Sequence, residues 1–242
     1  MASLFSFLTG SKKAARPLPA DFHSHLIPGI DDGVPTAEEA FRVIDCLLER
    51  GYTKLITTPH IMTDYFGNTS TSVTEAYEAF LPVLREAGYD LPFEIAAEYY
   101  LDENLYQQAL RKEKFLTFGD RFLLFETNPI SEPMMLKEFI FQLTTQGYKP
   151  VIAHPERYQF MTPDKAQDLR DRGVLLQLNM LSLIGYYGPP IQKLAVKLID
   201  SGMVDALGSD CHHIDHAKLL EKVQATSAYS RAVELPLLNY RL

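Results

Sequence analysis

The chain is short of cysteine, of long apolar runs and of positive charge. Two cysteines in 242 residues, Cys46 and Cys211, are too few for a disulfide framework and fit a reducing compartment. No stretch stays apolar over the roughly 20 residues that a bilayer-spanning helix needs. The short run Leu4-Phe5-Ser6-Phe7-Leu8 comes before Lys12, Lys13 and Arg16, the reverse of the order in a secretory signal. Residues 1–19 therefore read as a tail and linker of a cytoplasmic protein. Lysine and arginine total 23 against 31 acids, and the net charge of -8 argues against gripping nucleic acid through its phosphates. No glycine-rich phosphate loop is present. A cysteine-based tyrosine phosphatase needs arginine six positions after its cysteine; here those positions hold Tyr52 and Ala217.

What is present is a repeated strand-then-helix pattern. A hydrophobic content of 46% supports one α/β domain over residues 20–242. Pro17-Leu18-Pro19 leads into a first strand ending at His23 and His25, and Pro28-Gly29-Ile30-Asp31-Asp32-Gly33 is turn chemistry. Thr36 caps a helix whose apolar positions Phe41, Ile44, Leu47 and Leu48 recur at helical spacing. Strands are predicted at 54–58, 93–97, 122–125, 150–153, 174–178 and 204–208. Helices are predicted at about 74–87, 102–112, 132–146, 163–172 and 190–201, with a last one from about Asp215. About seven such units, with strands that are near-continuous apolar runs, indicate a parallel sheet buried on both faces. There is no solenoid repeat and no low-complexity segment.

Polar residues fall in one place on this pattern. The strands terminate in turn at His23 and His25, His60, Glu98, Glu126, His154, and Asp210 with His212. In a barrel of parallel strands the carboxyl ends share one rim, where active sites lie. An isolated His-x-His is more often a strand end bonded to backbone or water. Imidazoles and carboxylates arriving from several strands at one rim point instead to a metal centre. His213 and His216 fall outside the pattern, on the following loop and helix start, with His213 as a candidate support for a ligand.

Five blocks carry a resemblance: His23-Ser24-His25, Ile30-Asp31-Asp32-Gly33, Thr58-Pro59-His60, Ala153-His154-Pro155-Glu156-Arg157-Tyr158 and Ser209-Asp210-Cys211-His212. Over about residues 20–225 the chain resembles the polymerase-and-histidinol-phosphatase (PHP) superfamily. Within it, the chain is similar to the metal-dependent protein-tyrosine phosphatases of bacterial capsule and exopolysaccharide systems, the CpsB/CapC/YwqE type. The resemblance implies a distorted seven-stranded TIM-like α/β barrel with three divalent ions, manganese or iron. It implies a first ion held by His23, His25, Glu98 and Asp210. Glu98, Glu126 and His154 would hold the second, and Asp32, His60 and His212 the third. It implies that Arg157 meets the substrate phosphate, and that the partner is a phosphorylated tyrosine kinase tail. Two departures stand out. The Glu-x-x-Arg-x-x-Arg run that supports a ring-shaped octamer in some members has Asp45 after Glu39 and Arg42, so an octamer is not expected. The second phosphate-binding arginine has only Lys218 near its place, a point charge without the arginine fork.

The donor set selects a chemistry by itself. Imidazole and carboxylate without thiolate suit manganese, iron or zinc. Three divalent ions against four carboxylates attract a phosphate dianion, and neighbouring ions yield a bridging hydroxide that attacks phosphorus. His212 or a bound water would help the leaving group depart. Tyr65 and Phe66, with Tyr99, Tyr100, Tyr158, Tyr186 and Tyr187, could line the mouth and stack on a phosphotyrosine ring, or pack beneath the loops. Three other readings stay open. A histidinol-phosphatase-like enzyme differs in its substrate-facing loops. An amidohydrolase would present a lysine on the fourth strand, where this chain has Glu126. A non-catalytic kinase-binding barrel would lack ligands.

Overall fold

The computed structural model describes residues 16–242. The apolar run at 4–8 and Lys12 and Lys13 lie outside the described residues. The expected linker is built into the fold: Leu18 is buried, and the Pro19 carbonyl accepts the Thr53 and Lys54 amides at 2.8 and 3.0 Å.

Helix ends follow their capping residues. Thr36 Oγ1 accepts the Glu39 amide at 3.2 Å and opens α1 (Ala37–Glu49), which buries Ala40, Val43, Ile44 and Leu47. A reciprocal Thr69–Ser72 box starts α2 (Ser70–Glu86) one turn before the residue at which the apolar pattern begins. Asp102 caps α3 (Glu103–Leu110), while α4 (Leu136–Thr145) begins later than expected, without a side-chain cap. Thr162 and Pro163 open α5 (Pro163–Asp171), and Pro189 opens α6 (Pro189–Asp200). The chain ends with α7 (Ile214–Gln224), a short α8 (Ser227–Ala232) that the periodicity does not announce, and a 3-10 turn at Leu238–Tyr240. On α1, Glu39 binds Arg42 at 2.8 Å and the Ile214 amide at 3.3 Å, and Asp45 accepts the Tyr89 hydroxyl at 2.8 Å. These side chains are thus engaged within the chain.

Among the described residues nine short strands form parallel sheets: β1 (Ala20–Asp21), β2 (Lys54–Thr57), β3 (His60–Ile61), β4 (Phe93–Ile95), β5 (Glu98–Tyr100), β6 (Phe122–Glu126), β7 (Lys149–Ala153), β8 (Leu175–Asn179) and β9 (Ala206–Gly208). Instead of one seven-stranded barrel, the ladder divides into a sheet of order β1-β2-β4 and a sheet of order β3-β5-β6-β7-β8-β9. The division falls where the expected strands to His60 and Glu98 each break in two. Pro59 has no amide to give a neighbour. Thr58 sends its amide to the Ser24 carbonyl at 2.7 Å, and the Thr57 hydroxyl takes the Leu26 amide at 2.9 Å. As a result, Glu98 opens β5 instead of ending the strand before it. A parallel bridge, Ser24 to Cys211, links the segment after β1 to the segment after β9, with His25 N–H on the Cys211 carbonyl at 2.9 Å.

Both sheet faces are buried. Leu123, Phe125, Ile152, Leu176 and Leu207 face the helices in the large core. Their alternates Phe22, Ile56, Ala96, Leu124, Val151 and Ala206 form a second cluster, stoppered at the amino ends of the strands by Phe118 and Leu238. Asn239, fully buried, fastens this stopper: it accepts the Leu207 amide at 3.0 Å and donates to the Ala20 and Leu207 carbonyls at 2.9 and 2.8 Å. The amino end of the sheet is therefore packed shut, which leaves the carboxyl end to carry the polar residues.

Candidate metal centre

The eight residues marked at strand ends come together with Asp32 from the turn after the first strand. Donor atoms of His23, His25, Glu98 and Asp210 lie within 4.8 Å of one another, as do those of His25, Asp32, His60 and His212, and those of His60, Glu98 and Glu126. His154 Nε2 stands 3.1 Å from Glu98 Oε1 and 3.8 Å from Glu126 Oε2. Glu98 is the hub. Its Oε2 lies 3.1, 3.4 and 3.3 Å from His23 Nε2, His25 Nε2 and His60 Nδ1.

Those four atoms are buried and have no hydrogen-bond partner among the described residues. Leaving them so would cost several kcal/mol, since buried polar atoms are nearly always satisfied. Their spacing fits a different purpose. Two donors each about 2.1 Å from one ion sit roughly 3.0–3.5 Å apart. The residues present therefore fit divalent ions, with mixed imidazole and carboxylate suited to manganese, iron or zinc.

The outer nitrogens are fixed. Gln177 Oε1 accepts His23 Nδ1–H at 2.8 Å, and Asp31 Oδ2 accepts His25 Nδ1–H at 2.8 Å, so both Nε2 atoms point inward. Asp31 also takes the Gly33 and His60 amides at 2.9 Å each. Two glycines permit this close approach. A Cβ at Gly33 would collide with the His25 carbonyl, and one at Gly208 would collide with Gln177 Nε2. His154 and Asp210 sit in the left-handed region, at φ 35° and 51°, a conformation that costs a non-glycine residue about 1–2 kcal/mol.

Burial and charge oppose each other here. Burial disfavours a charged His23, but the Glu98 and Asp210 carboxylates outweigh it and lift the ring to about 9. His60 goes the other way, to about 4, because burial and then the His25 charge prevail over the nearby carboxylates. Burial and then the charge of Glu98 push Glu126 well above the usual carboxylate range. A surplus of acids around one space is what bound cations would neutralise.

A cavity of 410 Å³ opens over this cluster, lined by Asp32, His60, Glu126, Arg157 and His212 among others. Arg157 Nη1 donates to Asp210 Oδ2 at 3.1 Å, and its Cζ lies 4.6 Å from the centre of the Tyr187 ring. Tyr65, Phe66 and Tyr100 reach the cavity, and Phe66 stacks on His60 with centroids 5.4 Å apart. Tyr99 and Tyr158 do not: the first turns to the Leu116 amide, the second to the Ala153 carbonyl. Lys218 is not brought in either; it lies exposed on α7, 3.5 Å from Asp215. His216, not His213, touches the cluster, with Nδ1 accepting the His212 amide at 3.4 Å.

Sequence reading missed the supporting polar set. Asp31 reads as a turn residue. Gln177 lies inside an apolar run, where an uncharged polar residue on a buried strand was the available signal. Asn179 Nδ2, which donates to Asp210 Oδ2 at 2.7 Å, reads only as a strand end.

Comparison with known proteins agrees with this geometry. CapC of Staphylococcus aureus is 27% identical over 228 residues, covering 92% of this chain and 89% of that protein. The tyrosine-protein phosphatase YwqE of Bacillus subtilis is 26% identical over 200 residues, covering 80% and 77%. A chain from the crystal structures of YwqE from Bacillus subtilis and CpsB from Streptococcus pneumoniae, described as unique metal-dependent tyrosine phosphatases, superposes with a TM-score of 0.73. It is 25% identical, covering 91% of this chain and 94% of that one. The profile of the capsular polysaccharide synthesis family, CpsB/CapC, matches residues 19–229. With a match over residues 19–229, most of its length, the chain belongs to the CpsB/CapC family of capsular polysaccharide synthesis proteins.

Proposed function

We propose that the chain is a metal-dependent protein-tyrosine phosphatase of capsule synthesis, acting in the cytoplasm on the phosphorylated tail of a tyrosine kinase. The observation that carries this reading is the set of four buried, unpartnered atoms of His23, His25, His60 and Glu98, gathered around Glu98 Oε2 where His60 and Glu98 line an open cavity. The names of the relatives YwqE and CpsB supply the substrate class. No helix among the described residues is long and apolar enough to cross a membrane.

In this reading the centre would hold three divalent ions, manganese first, and residues 20–242 act as one domain. His23, His25, Glu98 and Asp210 would hold the first ion, Glu98, Glu126 and His154 the second, and Asp32, His60 and His212 the third. The strands are seven barrel staves, with β2 continuing as β3 and β4 as β5. The Ser24–Cys211 bridge and the inward cluster around Phe22 and Leu124 support that closure.

Bound divalent ions supply Lewis acidity and a lowered water pKa. The protein's residues do the rest. Asp31 and Gln177 hold the His25 and His23 rings in one tautomer. Arg157 can swing its fork from Asp210 to the phosphoryl oxygens, which it matches in a bidentate manner. Phe66 and Tyr65 flank the cavity where the substrate ring would lie. His212 donates Nδ1–H to the Asp210 carbonyl at 3.0 Å and keeps Nε2 toward Asp32, which suits a ligand better than a proton donor. A phenolate, with a pKa of about 10, leaves without strong proton donation.

The test compares a phosphotyrosyl peptide, p-nitrophenyl phosphate and histidinol phosphate as substrates, with and without EDTA. Hydrolysis of the first two, abolished by chelation and restored by manganese, is expected. Activity that persists in chelator, or a preference for histidinol phosphate, would overturn the reading.

A further inference from the structure

A second cavity, of 540 Å³, lies beside the first and shares Arg157 with it. One wall is the segment that follows His154; the other is α6. Its floor is apolar, with Met161, Ile191 and Leu194. Lys193 and Lys197, both exposed, stand on this side of α6 one helical turn apart. The only acid on that helix, Asp200, is taken by Arg231 at 2.7 Å, so neither lysine has a carboxylate partner on its own helix. The carboxylate that touches the cavity, Glu156, is buried and turned away onto Ser182 Oγ and the Asn179 amide, at 2.7 and 2.9 Å. Lys193 and Lys197, beside an Arg157 already held by Asp210, thus create a local positive field on a chain of net charge -8.

We propose that this groove binds the acidic stretch of polypeptide next to the phosphorylated tyrosine. The proposal rests on the phosphatase reading above and adds a sequence preference to it. From Pro190 to Lys197 the helix rises about 10 Å, the length of roughly three residues of extended chain. A bound segment would lay an apolar side chain on Ile191 and Leu194 and its carboxylates on the two lysines. Because Arg157 belongs to both cavities, the segment enters the groove from the residue whose phosphate sits over the metal centre. The lysines are exposed, so the preference should weaken as salt rises toward and beyond 0.15 M, where the screening length is about 8 Å.

The experiment uses the manganese-loaded protein and measures kcat/KM for free phosphotyrosine, for a phosphotyrosyl peptide with aspartate and glutamate at the neighbouring positions, and for the same peptide with serine there. The acidic peptide should be favoured over the serine peptide by about 5-fold or more. In the K193E/K197E variant that ratio should fall to about one or below. A control variant with the same charge change elsewhere, K114E/K222E, should keep it. Equal rates on both peptides, or a ratio untouched by K193E/K197E, would overturn the groove while leaving the phosphatase reading intact. Failure to hydrolyse any phosphotyrosyl substrate would sink both. A concentration-dependent dimer in sedimentation that K193E/K197E dissolves would assign the groove to a second copy of the chain and likewise overturn the proposal.

Discussion

Arg157 donates to Asp210 Oδ2 at 3.1 Å, and the same oxygen receives Asn179 Nδ2 at 2.7 Å. The base that would meet substrate is thereby held on a carboxylate of the centre, with Tyr187 under its plane. Arg157→Ala should lower kcat/KM for p-nitrophenyl phosphate by about 100-fold, the usual effect of removing one aimed donor. Arg157→Lys should recover only part of this, because an ammonium lacks the fork. Steady-state kinetics decide; a change below threefold would remove Arg157 from the phosphate contacts.

Asp31 offers a test of the supporting residues. It holds His25 Nδ1 and two backbone amides at once. Asp31→Asn should weaken manganese binding by about 10-fold or more, as measured by competition with a chelator. An unchanged affinity would limit Asp31 to shaping the loop.

His154 separates ligation from backbone strain. His154→Ala should abolish activity while the far-ultraviolet spectrum stays native. His154→Gly should be equally inactive but more stable than the alanine variant by about 1 kcal/mol, since glycine accepts φ 35° without strain. A glycine variant less stable than the alanine one would contradict the conformational argument.

Asn239 is the clasp at the opposite end. Three hydrogen bonds to Ala20 and Leu207 end on this fully buried amide. Asn239→Ala should cost about 2–4 kcal/mol in urea unfolding, because it leaves backbone groups unpaired. A loss under 1 kcal/mol would mean that water takes its place.

The pH arm concerns Tyr89, whose hydroxyl donates to Asp45 at 2.8 Å. Burial and then this bond raise its pKa to about 12 from the ordinary 10. An acid with a raised folded pKa keeps its full contribution below the unfolded value and loses it as pH climbs from 10 to 12. Tyr89→Phe should therefore be less stable than the parent by about 0.5 kcal/mol at pH 9, the worth of one hydrogen bond reduced by its exposure to solvent. That gap should narrow by pH 11.5. A constant difference across this range in urea titrations would refute the shift.

These strand ends were readable because an apolar run gives way abruptly to polar residues: Phe125 then Glu126, Ala153 then His154, Gly208 then Ser209-Asp210. Apolar periodicity cannot see hydrogen bonds between side chains and distant backbone. It therefore joined β2 to β3 and β4 to β5, where Thr57, Thr58 and Pro59 redirect the ladder. It also missed Gln177, whose partner His23 is 154 positions away. His216 was within reach, since it stands four positions after His212 at the start of a helix, the spacing at which side chains meet. Lys218 was placed by distance along the chain, but on α7 it meets Asp215 and does not line the cavity.

The left-handed backbone at His154 and Asp210 has an evolutionary consequence. At both positions the chain's own conformational preference favours glycine, and only the need for an imidazole and a carboxylate opposes it. A population selected for heat tolerance alone, with activity no longer required, should accumulate glycine at these two positions before it touches the well-packed core. Side chains retained there mark lineages in which the centre is still in use.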